Sequence, residues 1–353
     1  MRKRILAVVL CLVLAVSVFV LASCKDDETV VKGAYILSDK GTYLAYKKNA
    51  EGDKIPNLTL LYEQDDALKN TYSMIAVDAD GTGFAGKSVT INETGADAFI
   101  RWMSLAATRE VIADFGKKDY DEALFYLIAD AQTYSGAVTT FAESGLQNNA
   151  VRVSTTTSIN DTGLLGALET LFEAATGWDL QVASAGTGAA IQAAKDGNAD
   201  LLVVHSASQE RAFVDGGYAR VVEGLSGTAQ DASYPARISF MYNYFVLLGA
   251  PSDPAKVKDA ATIVDAFNAI AAKGSAFVSR GDKSGTHTAE TNLWAKTGLP
   301  LVDIDLEYTS KGETLTGTAK APSGAWYVSA GQGMGACLTM ANELPVATIV
   351  AEK

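Results

Sequence analysis

Three short turns rich in hydroxyl side chains lie directly before predicted helices. Each follows an apolar run that predicts a strand: STTTSINDTG (154–163), AGTGAA (185–190) and SRGDKSGTH (279–287). The first turn of a helix leaves backbone N–H groups unpaired and carries partial positive charge, so it attracts anions. Glycine allows a close approach, hydroxyls add neutral donors, and one arginine can balance the charge. The three turns together predict an oxyanion site, with helix capping as the alternative for any single turn.

Two histidines, His205 and His287, raise the possibility of other chemistry. A hydrolase would use Ser158 or Ser284 with His287, but no aspartate is evident that would orient the imidazole. A His/Cys metal cluster cannot be assembled, because Cys337 is the single cysteine after residue 24. GTG also falls short of a dinucleotide fingerprint. We therefore expect a protein that is not an enzyme, has no cofactor and uses both histidines structurally.

The first 24 residues predict a targeting segment rather than part of the fold. MRKR is followed by the apolar run ILAVVLCLVLAVSVFV and by LASC, which resembles a bacterial lipobox ending at Cys24. This predicts a signal peptide at 1–23, lipidation of Cys24 and a tether at 24–32. A simple membrane anchor, or a signal cut elsewhere, is the alternative. We expect an extracytoplasmic protein held to the cell membrane by its lipid anchor only.

The net charge of the 353-residue chain is −12. Residues 1–23 carry three positive charges and no acid, so their removal leaves −15. Nucleic-acid binding relies on lysine and arginine at phosphates, and an acidic chain of this kind is a poor candidate for it. A local, dehydrated site lined by donors can still bind an anion.

Apolar runs alternate with helical patterns, which predicts an α/β fold. The predicted helices include 92–116, closed by Gly116; 160–177, capped by Asn160 or Asp161; and 253–274. The predicted strands are 58–62, 72–77, 151–155, 199–205, 238–249 and 275–279. Residues 133–150, which are small and polar with no clear period, and residues 303–324, which are charged and rich in Gly and Thr, are interpreted as connectors, the second as a surface excursion.

Five segments together resemble the tungstate-binding proteins of bacterial ABC transporters. The resemblance covers about 150–345 and implies a two-lobed type II periplasmic-binding-protein fold that closes over a tetrahedral oxyanion. One departure lies at Tyr244, where the family has an acid. In order, the matching segments are STTTSINDTGLL, AGTGAAI, MYNYFVLLGAPSDPAKV, FVSRGDKSGTHTAE and WYVSAGQGMGACLTMANE.

The resemblance also implies which residues bind the ligand. Arg280 would balance the charge of the anion, the other matching residues would donate hydrogen bonds, and His287 would lie behind them. No metal site is implied. The ligand-binding residues carried over are Thr156, Thr157, Ser158, Thr187, Arg280, Ser284, Gly285 and Thr286.

The order of the segments differs from that of the family. The run ending MANE normally continues into a segment like KGAYILSDKGTYLAYKK, which here lies at 32–48. This predicts a circular permutation, with lobe one at 72–249, lobe two at 33–71 plus 250–353, and 133–150 joining the original termini. Gly33 and Glu343 should then lie close together on lobe two. A domain-swapped dimer is the alternative to the monomer that we expect.

The resemblance implies capture of tungstate, or molybdate, and delivery to an ABC transporter permease. A phosphate- or sulfate-binding protein of the same fold is one alternative, and a lipid-anchored sensor or adhesin without transport is another. Phosphate can carry a proton and would favour an acidic acceptor in the pocket. Within the three turns the acids are Asp161 and Asp282, both better placed as caps or behind the ligand, which favours tungstate or molybdate.

Overall fold

The computed structural model describes residues 31–310 and 313–346, so the predicted signal peptide and Cys24 lie outside the described residues. No helix in the described part of the chain is long and apolar enough to cross a membrane. The strands are β1 (Tyr35–Asp39), β2 (Thr59–Tyr62), β3 (Lys69–Val77), β4 (Tyr126–Leu127), β5 (Ala150–Thr156), β6 (Asp179–Ala185), β7 (Leu201–Val204), β8 (Ala219–Arg220), β9 (Ile238–Gly249), β10 (Phe277–Ser279), β11 (Leu301–Ser310), β12 (Glu313–Pro322) and β13 (Tyr327–Ser329). The helices are α1 (Lys40–Lys47), α2 (Glu93–Met103), α3 (Ala106–Asp114), α4 (Lys117–Tyr120), α5 (Phe141–Ser144), α6 (Thr157–Asn160), α7 (Leu164–Thr176), α8 (Thr187–Lys195), α9 (Ala207–Asp215), α10 (Ile263–Lys273), α11 (Gly285–Lys296) and α12 (Met334–Glu343).

One large mixed sheet contains two groups of parallel strands. β7, β5 and β6 form the first group, and β1, β10 and β13 form the second. The antiparallel pair β3–β9 joins them, and β9 is long enough to pair with β3 at one end and with β1 at the other. Helices connect the parallel strands, so the predicted α/β class is confirmed.

The predicted helix 92–116 is wrong, because it is two helices. α2 ends at Met103, and Leu105 has extended backbone angles (φ −68°, ψ 146°) before α3 begins. The Ser104 hydroxyl donates to the Ile100 carbonyl, which gives this last-turn carbonyl a side-chain partner at the break. The spacing of apolar residues predicted one helix because α2 and α3 each bury an apolar face, so the helical period runs through the break.

Two other predicted helix starts are also wrong. α7 begins after Gly163 (φ 82°) rather than after Asn160 or Asp161, because α6 occupies 157–160. α10 begins after Thr262, whose hydroxyl accepts the backbone N–H of Asp265. The residues before it turn around the buried carboxylate of Asp253, which accepts two backbone N–H groups.

The segment 303–324, interpreted from sequence as a connector, is largely a β-hairpin. β11 and β12 pair along their whole length, from Leu301 opposite Pro322 to Ser310 opposite Glu313. The hairpin packs on the third hydroxyl turn: a Cβ placed on Gly317 would lie 2.5 Å from the Lys283 side chain. Thr, Val and Ile at alternate positions fit strands better than a surface excursion.

The segments around Gly33 and Glu343 lie side by side. The backbone N–H of Gly33 donates to the Leu344 carbonyl at 2.9 Å, and that of Ala34 donates to the Ala341 carbonyl at 2.8 Å. An ion pair joins Lys32 Nζ to Glu343 Oε2 at 2.6 Å. Chain segments more than 300 residues apart in sequence therefore form one edge of the fold.

Candidate functional site

The three hydroxyl turns lie where parallel strands end and helices begin. β5 ends at Thr156 and leads directly into α6, β6 leads through Gly186 into α8, and β10 leads through 280–284 into α11. Ligands in open α/β sheets bind at the carboxyl ends of the strands, where helix N-termini converge. Thr157 is partly exposed, and the other seven predicted ligand residues are buried.

His205 connects the turns of the two strand groups. Its Nε2 lies 2.9 Å from the Ser158 hydroxyl at the start of α6. On the other side, Gly285 at the start of α11 lies so close that an added Cβ would be 2.4 Å from His205 Cε1. Gly186 and His287 line one cavity of about 770 Å³. His205 thus brings Ser158 of the first strand group and Gly285 of the second close together.

Several polar side-chain atoms at this site are buried without a hydrogen-bond partner. Within residues 31–310 and 313–346 there are seven such atoms, and Thr187 Oγ1, Thr286 Oγ1, Asn243 Nδ2 and His287 Nε2 account for four of them. His287 Nδ1 accepts the backbone N–H of Lys283 at 2.9 Å, so Nε2 carries the proton of the neutral ring. An unpartnered buried polar group costs about 1–3 kcal/mol, so the unpartnered hydroxyls of Thr187 and Thr286 at the starts of α8 and α11 favour an added acceptor.

Arg280 supplies a buried positive charge, with 5 % of its surface exposed. Its Nε donates to Asp282 Oδ2 at 3.1 Å, while Asp282 Oδ1 accepts the backbone N–H of Ser284 at 3.1 Å. Ser284 caps α11 by accepting the His287 N–H. Asp282 and Ser284 therefore hold the turn in shape, and Gly281 adopts the left-handed φ of 61° that the turn needs.

The electrostatic surroundings of the site combine Arg280 with the buried groups Asp39 and His205 and with Asp161, a residue exposed at the surface. Burial raises the pKa of Asp39 and of Asp161, and the charge of Arg280 opposes both shifts. Burial, with a further contribution from Arg280, lowers the pKa of His205 to about 4. His205 is therefore neutral at physiological pH, and Arg280 is the cation of the site.

Sequence reasoning missed Asp39, Asn70 and Asn243. Asp39 caps α1 by accepting the Thr42 N–H at 2.8 Å and the Thr42 hydroxyl at 2.7 Å. Asn70 and Asn243 lie opposite each other on β3 and β9, and their amides are 2.9 Å apart. Fully polar side chains inside otherwise apolar strands were the available signal.

Both ring nitrogens of His205, predicted to be a structural residue, have hydrogen-bond partners. Its Nδ1 lies 2.8 Å from Asn70 Oδ1. Ser158, His205 and Asn70 thus follow the connectivity of a nucleophile, a base and an orienting amide. The low pKa of His205 makes it a weak base, and the hydrolase pair considered from sequence, Ser284 with His287, is not formed through the imidazole.

The mixed α/β sheet has helix starts, which attract anions, at the ends of its parallel strands. The family model for the PBP superfamily domain matches residues 130–352, more than half of the chain, and the chain belongs to this family. It is 38% identical over 202 residues to the tungstate-binding protein TupA of Peptoclostridium acidaminophilum, covering 57% of this chain and 58% of that protein. It is also 36% identical over 191 residues to a putative ABC transporter anion-binding protein of Haloferax volcanii, covering 54% and 45%.

Among solved structures, the tungstate ABC transporter from Geobacter sulfurreducens is 36% identical, covering 54% of this chain and 67% of that chain with a TM-score of 0.41. The chain spans about half the length of the curated relatives it matches.

Proposed function

We propose that this protein binds a tetrahedral oxyanion, tungstate or its close analogue molybdate, and delivers it to an ABC transporter permease. The observation that carries the proposal is the pair of buried hydroxyls, Thr187 Oγ1 and Thr286 Oγ1, which have no partner within the described residues and lie at the starts of α8 and α11. Arg280 adds the buried positive charge. The names of the relatives from Peptoclostridium and Haloferax support the choice of ligand and of transport.

An unprotonated anion suits the donors of this site. Both oxygens of Asp39 are engaged by Thr42, and both oxygens of Asp282 are engaged within its own turn. A protonated anion such as hydrogen phosphate needs an acceptor for its O–H group. Apart from Asp39 and Asp282, the acid considered for that role is Asp161, whose pKa is raised by burial. Phosphate therefore belongs in the test as a competitor.

The same proposal includes a two-lobed fold with a permuted order. The two parallel strand groups joined by β3 and β9 support lobes at 72–249 and at 33–71 plus 250–353. Backbone hydrogen bonds join Gly33 to Leu344 and Ala34 to Ala341. This proximity supports a family order in which the segment that begins at residue 33 directly followed the segment that ends near residue 344. Donors from both lobes converge when the lobes close, so the ligand would favour the closed state.

The proposal also places the protein outside the cytoplasmic membrane, as a monomer that is tethered to the membrane by a lipid on Cys24. The lipobox-like LASC motif supports this placement. Mass spectrometry of the membrane-extracted protein tests it: a diacylglyceryl-modified Cys24 is expected, and an unmodified Cys24 would contradict the anchor.

Calorimetric titration with tungstate, molybdate, sulfate and phosphate tests the binding function. We expect one anion per chain, with tungstate or molybdate bound most tightly. Arg280→Ala should lose at least 100-fold in affinity, because a buried charge-assisted contact is worth about 3 kcal/mol or more. Arg101→Ala is the matched control, since Arg101 donates to the exposed Glu223 carbonyl away from the site. No binding, or equal binding by Arg280→Ala, would refute the proposal.

A further inference from the structure

We propose that His205 is a positioning residue that selects the charge state of the bound oxyanion. Together with Asn70 it orients the hydroxyl of Ser158, so that the hydroxyl proton faces an unprotonated anion. This inference rests on the proposed oxyanion-binding function and adds to it the reason why a protonated anion is rejected.

A row of hydrogen bonds leads from the two central strands to the hydroxyl turn at the end of β5, and the buried Tyr72 hydroxyl branches from it, 3.1 Å from Asn70 Nδ2. Asn243 on β9 lies 2.9 Å from Asn70 on β3, and Asn70 lies 2.8 Å from His205 Nδ1. His205 Nε2 lies 2.9 Å from Ser158 Oγ, which in turn lies 3.1 Å from Thr156 Oγ1. All five side chains are buried, so the row is shielded from water.

The same heavy-atom positions allow two directions of donation, because an amide turned by 180° exchanges its oxygen and its NH2 group. In the first direction, His205 Nδ1–H donates to the Asn70 oxygen. Nε2 must then accept the Ser158 proton, and Thr156 must donate to Ser158. Both hydroxyl protons are used inside the row, and Ser158 and Thr156 offer a ligand only lone pairs.

In the second direction, every donor points toward the anion. The Asn243 NH2 donates to the Asn70 oxygen, the Asn70 NH2 donates to His205 Nδ1, and His205 Nε2–H donates to Ser158. The Ser158 proton is then not consumed by His205 and can face the ligand, directly or through Thr156, in competition with the Tyr72 hydroxyl as its other acceptor. His205 is neutral in both directions, so the protein carries the same number of protons.

Two observations favour the second direction in the complex. In the first direction, Asn243 Nδ2 is a buried N–H donor without a partner among the described residues. The second direction gives that NH2 the Asn70 oxygen as acceptor. The Tyr72 hydroxyl, which accepts from Asn70 Nδ2 at 3.1 Å in the first direction, then turns its proton toward the same Asn70 oxygen. An unprotonated oxyanion also repels the lone pairs that the first direction would present, whereas the O–H of hydrogen phosphate would be accepted by them.

The charges around His205 keep the ring neutral in either direction. Its two ring nitrogens contact Ser158 and Asn70, neither of which is ionised, and the ring of Tyr72 lies 4.8 Å away. Arg280 is the cation that acts on the ring, and Gly285 packs against Cε1 without a side chain. A protonated imidazole would therefore have no carboxylate partner among these contacts.

Nitrogen NMR of the ¹⁵N-histidine-labelled protein tests the direction, because the two neutral tautomers give opposite shifts at Nδ1 and Nε2. The chain has only two histidines, and His287→Gln assigns them. His287 is an internal reference, since its Nδ1 accepts the Lys283 N–H and its proton must lie on Nε2. With tungstate bound, we expect His205 also as the Nε2–H tautomer. Tungstate binding with His205 as the Nδ1–H tautomer would overturn the inference while leaving the oxyanion function intact.

Asn70→Asp provides a second, independent test. A carboxylate only accepts, so it fixes His205 as the Nδ1–H tautomer and consumes the Ser158 proton. Its added charge weakens the binding of tungstate and of hydrogen phosphate alike at pH 8, where both are dianions. The preference for tungstate over phosphate should therefore fall at least 10-fold. An unchanged preference would overturn the inference, whereas failure of the wild-type protein to bind any oxyanion would instead refute the proposed function.

Discussion

Replacing Thr187 or Thr286 by valine should stabilise the ligand-free protein and weaken its binding of the anion. Each hydroxyl is buried, and within the described chain neither has a hydrogen-bond partner. Valine has nearly the same volume and removes the cost of burying the hydroxyl, about 1–3 kcal/mol. We therefore expect the free energy of unfolding without ligand to rise by about 1 kcal/mol or more for each substitution.

The same substitutions remove a donor to the anion. A hydrogen bond to a charged group contributes about 1.5–3 kcal/mol, which corresponds to a roughly 10- to 100-fold loss of affinity. Stability and affinity thus move in opposite directions, which a general packing defect would not produce. Denaturant unfolding without ligand and calorimetric titration with tungstate measure the two quantities.

Thr155→Val is the matched control. Thr155 precedes Thr156 on β5, is fully buried, and donates its hydroxyl proton to the Val203 carbonyl at 2.7 Å. Its replacement leaves that carbonyl without this donor, so we expect a loss of about 1 kcal/mol of stability and little change in affinity. The reasoning fails if the Thr187 and Thr286 variants lose stability as the control does, or if they bind tungstate as tightly as the wild type.

Two further predictions concern positions around the site. Gly285→Ala should lower the affinity for tungstate at least 10-fold in calorimetry, because its Cβ would lie 2.4 Å from His205 Cε1. The control is Gly166→Ala on α7, which has open space around it and should raise the unfolding free energy by about 1 kcal/mol. Equal affinities for tungstate in both variants would contradict this prediction. Burial raises the pKa of Glu290 from 4.5 to about 7, so the folded state holds a proton that the unfolded state releases. The stability that this group contributes is complete below pH 4.5 and is lost as the pH rises through about 7, by up to about 3 kcal/mol. Glu290→Gln should remove this pH dependence when the free energy of unfolding is measured at pH 5 and pH 8. An identical pH dependence in the wild type and the variant would contradict the assignment.

The sequence predicted those elements whose local chemistry and tertiary environment agree. The strand 238–249 has the predicted bounds, because a continuous apolar run matches its burial in the middle of the sheet. The end of α7 at Gly177 was also predicted, since glycine adopts the left-handed φ of 73° found there. The break at Leu105 was missed because it depends on a backbone turn that leaves the apolar period undisturbed.

The candidate site was predicted in part for a similar reason. The hydroxyl turns carry their own signal, because Ser, Thr and Gly before a helix have a local meaning. Asn70 and Asn243 show locally only a polar side chain within a strand, and their pairing depends on the register of β3 against β9. The contact of His205 with Gly285 could not be predicted either, because it depends on how α11 packs against the end of β7.

The most direct test of the central claim is anomalous diffraction at the tungsten L3 edge from crystals grown with tungstate. We expect one tungsten per chain within about 4.5 Å of both Thr187 Oγ1 and Thr286 Oγ1, a distance that allows one oxyanion oxygen between metal and donor. Arg280 should lie beside the same anion. A tungsten peak elsewhere, or none when calorimetry shows saturation, would contradict the claim.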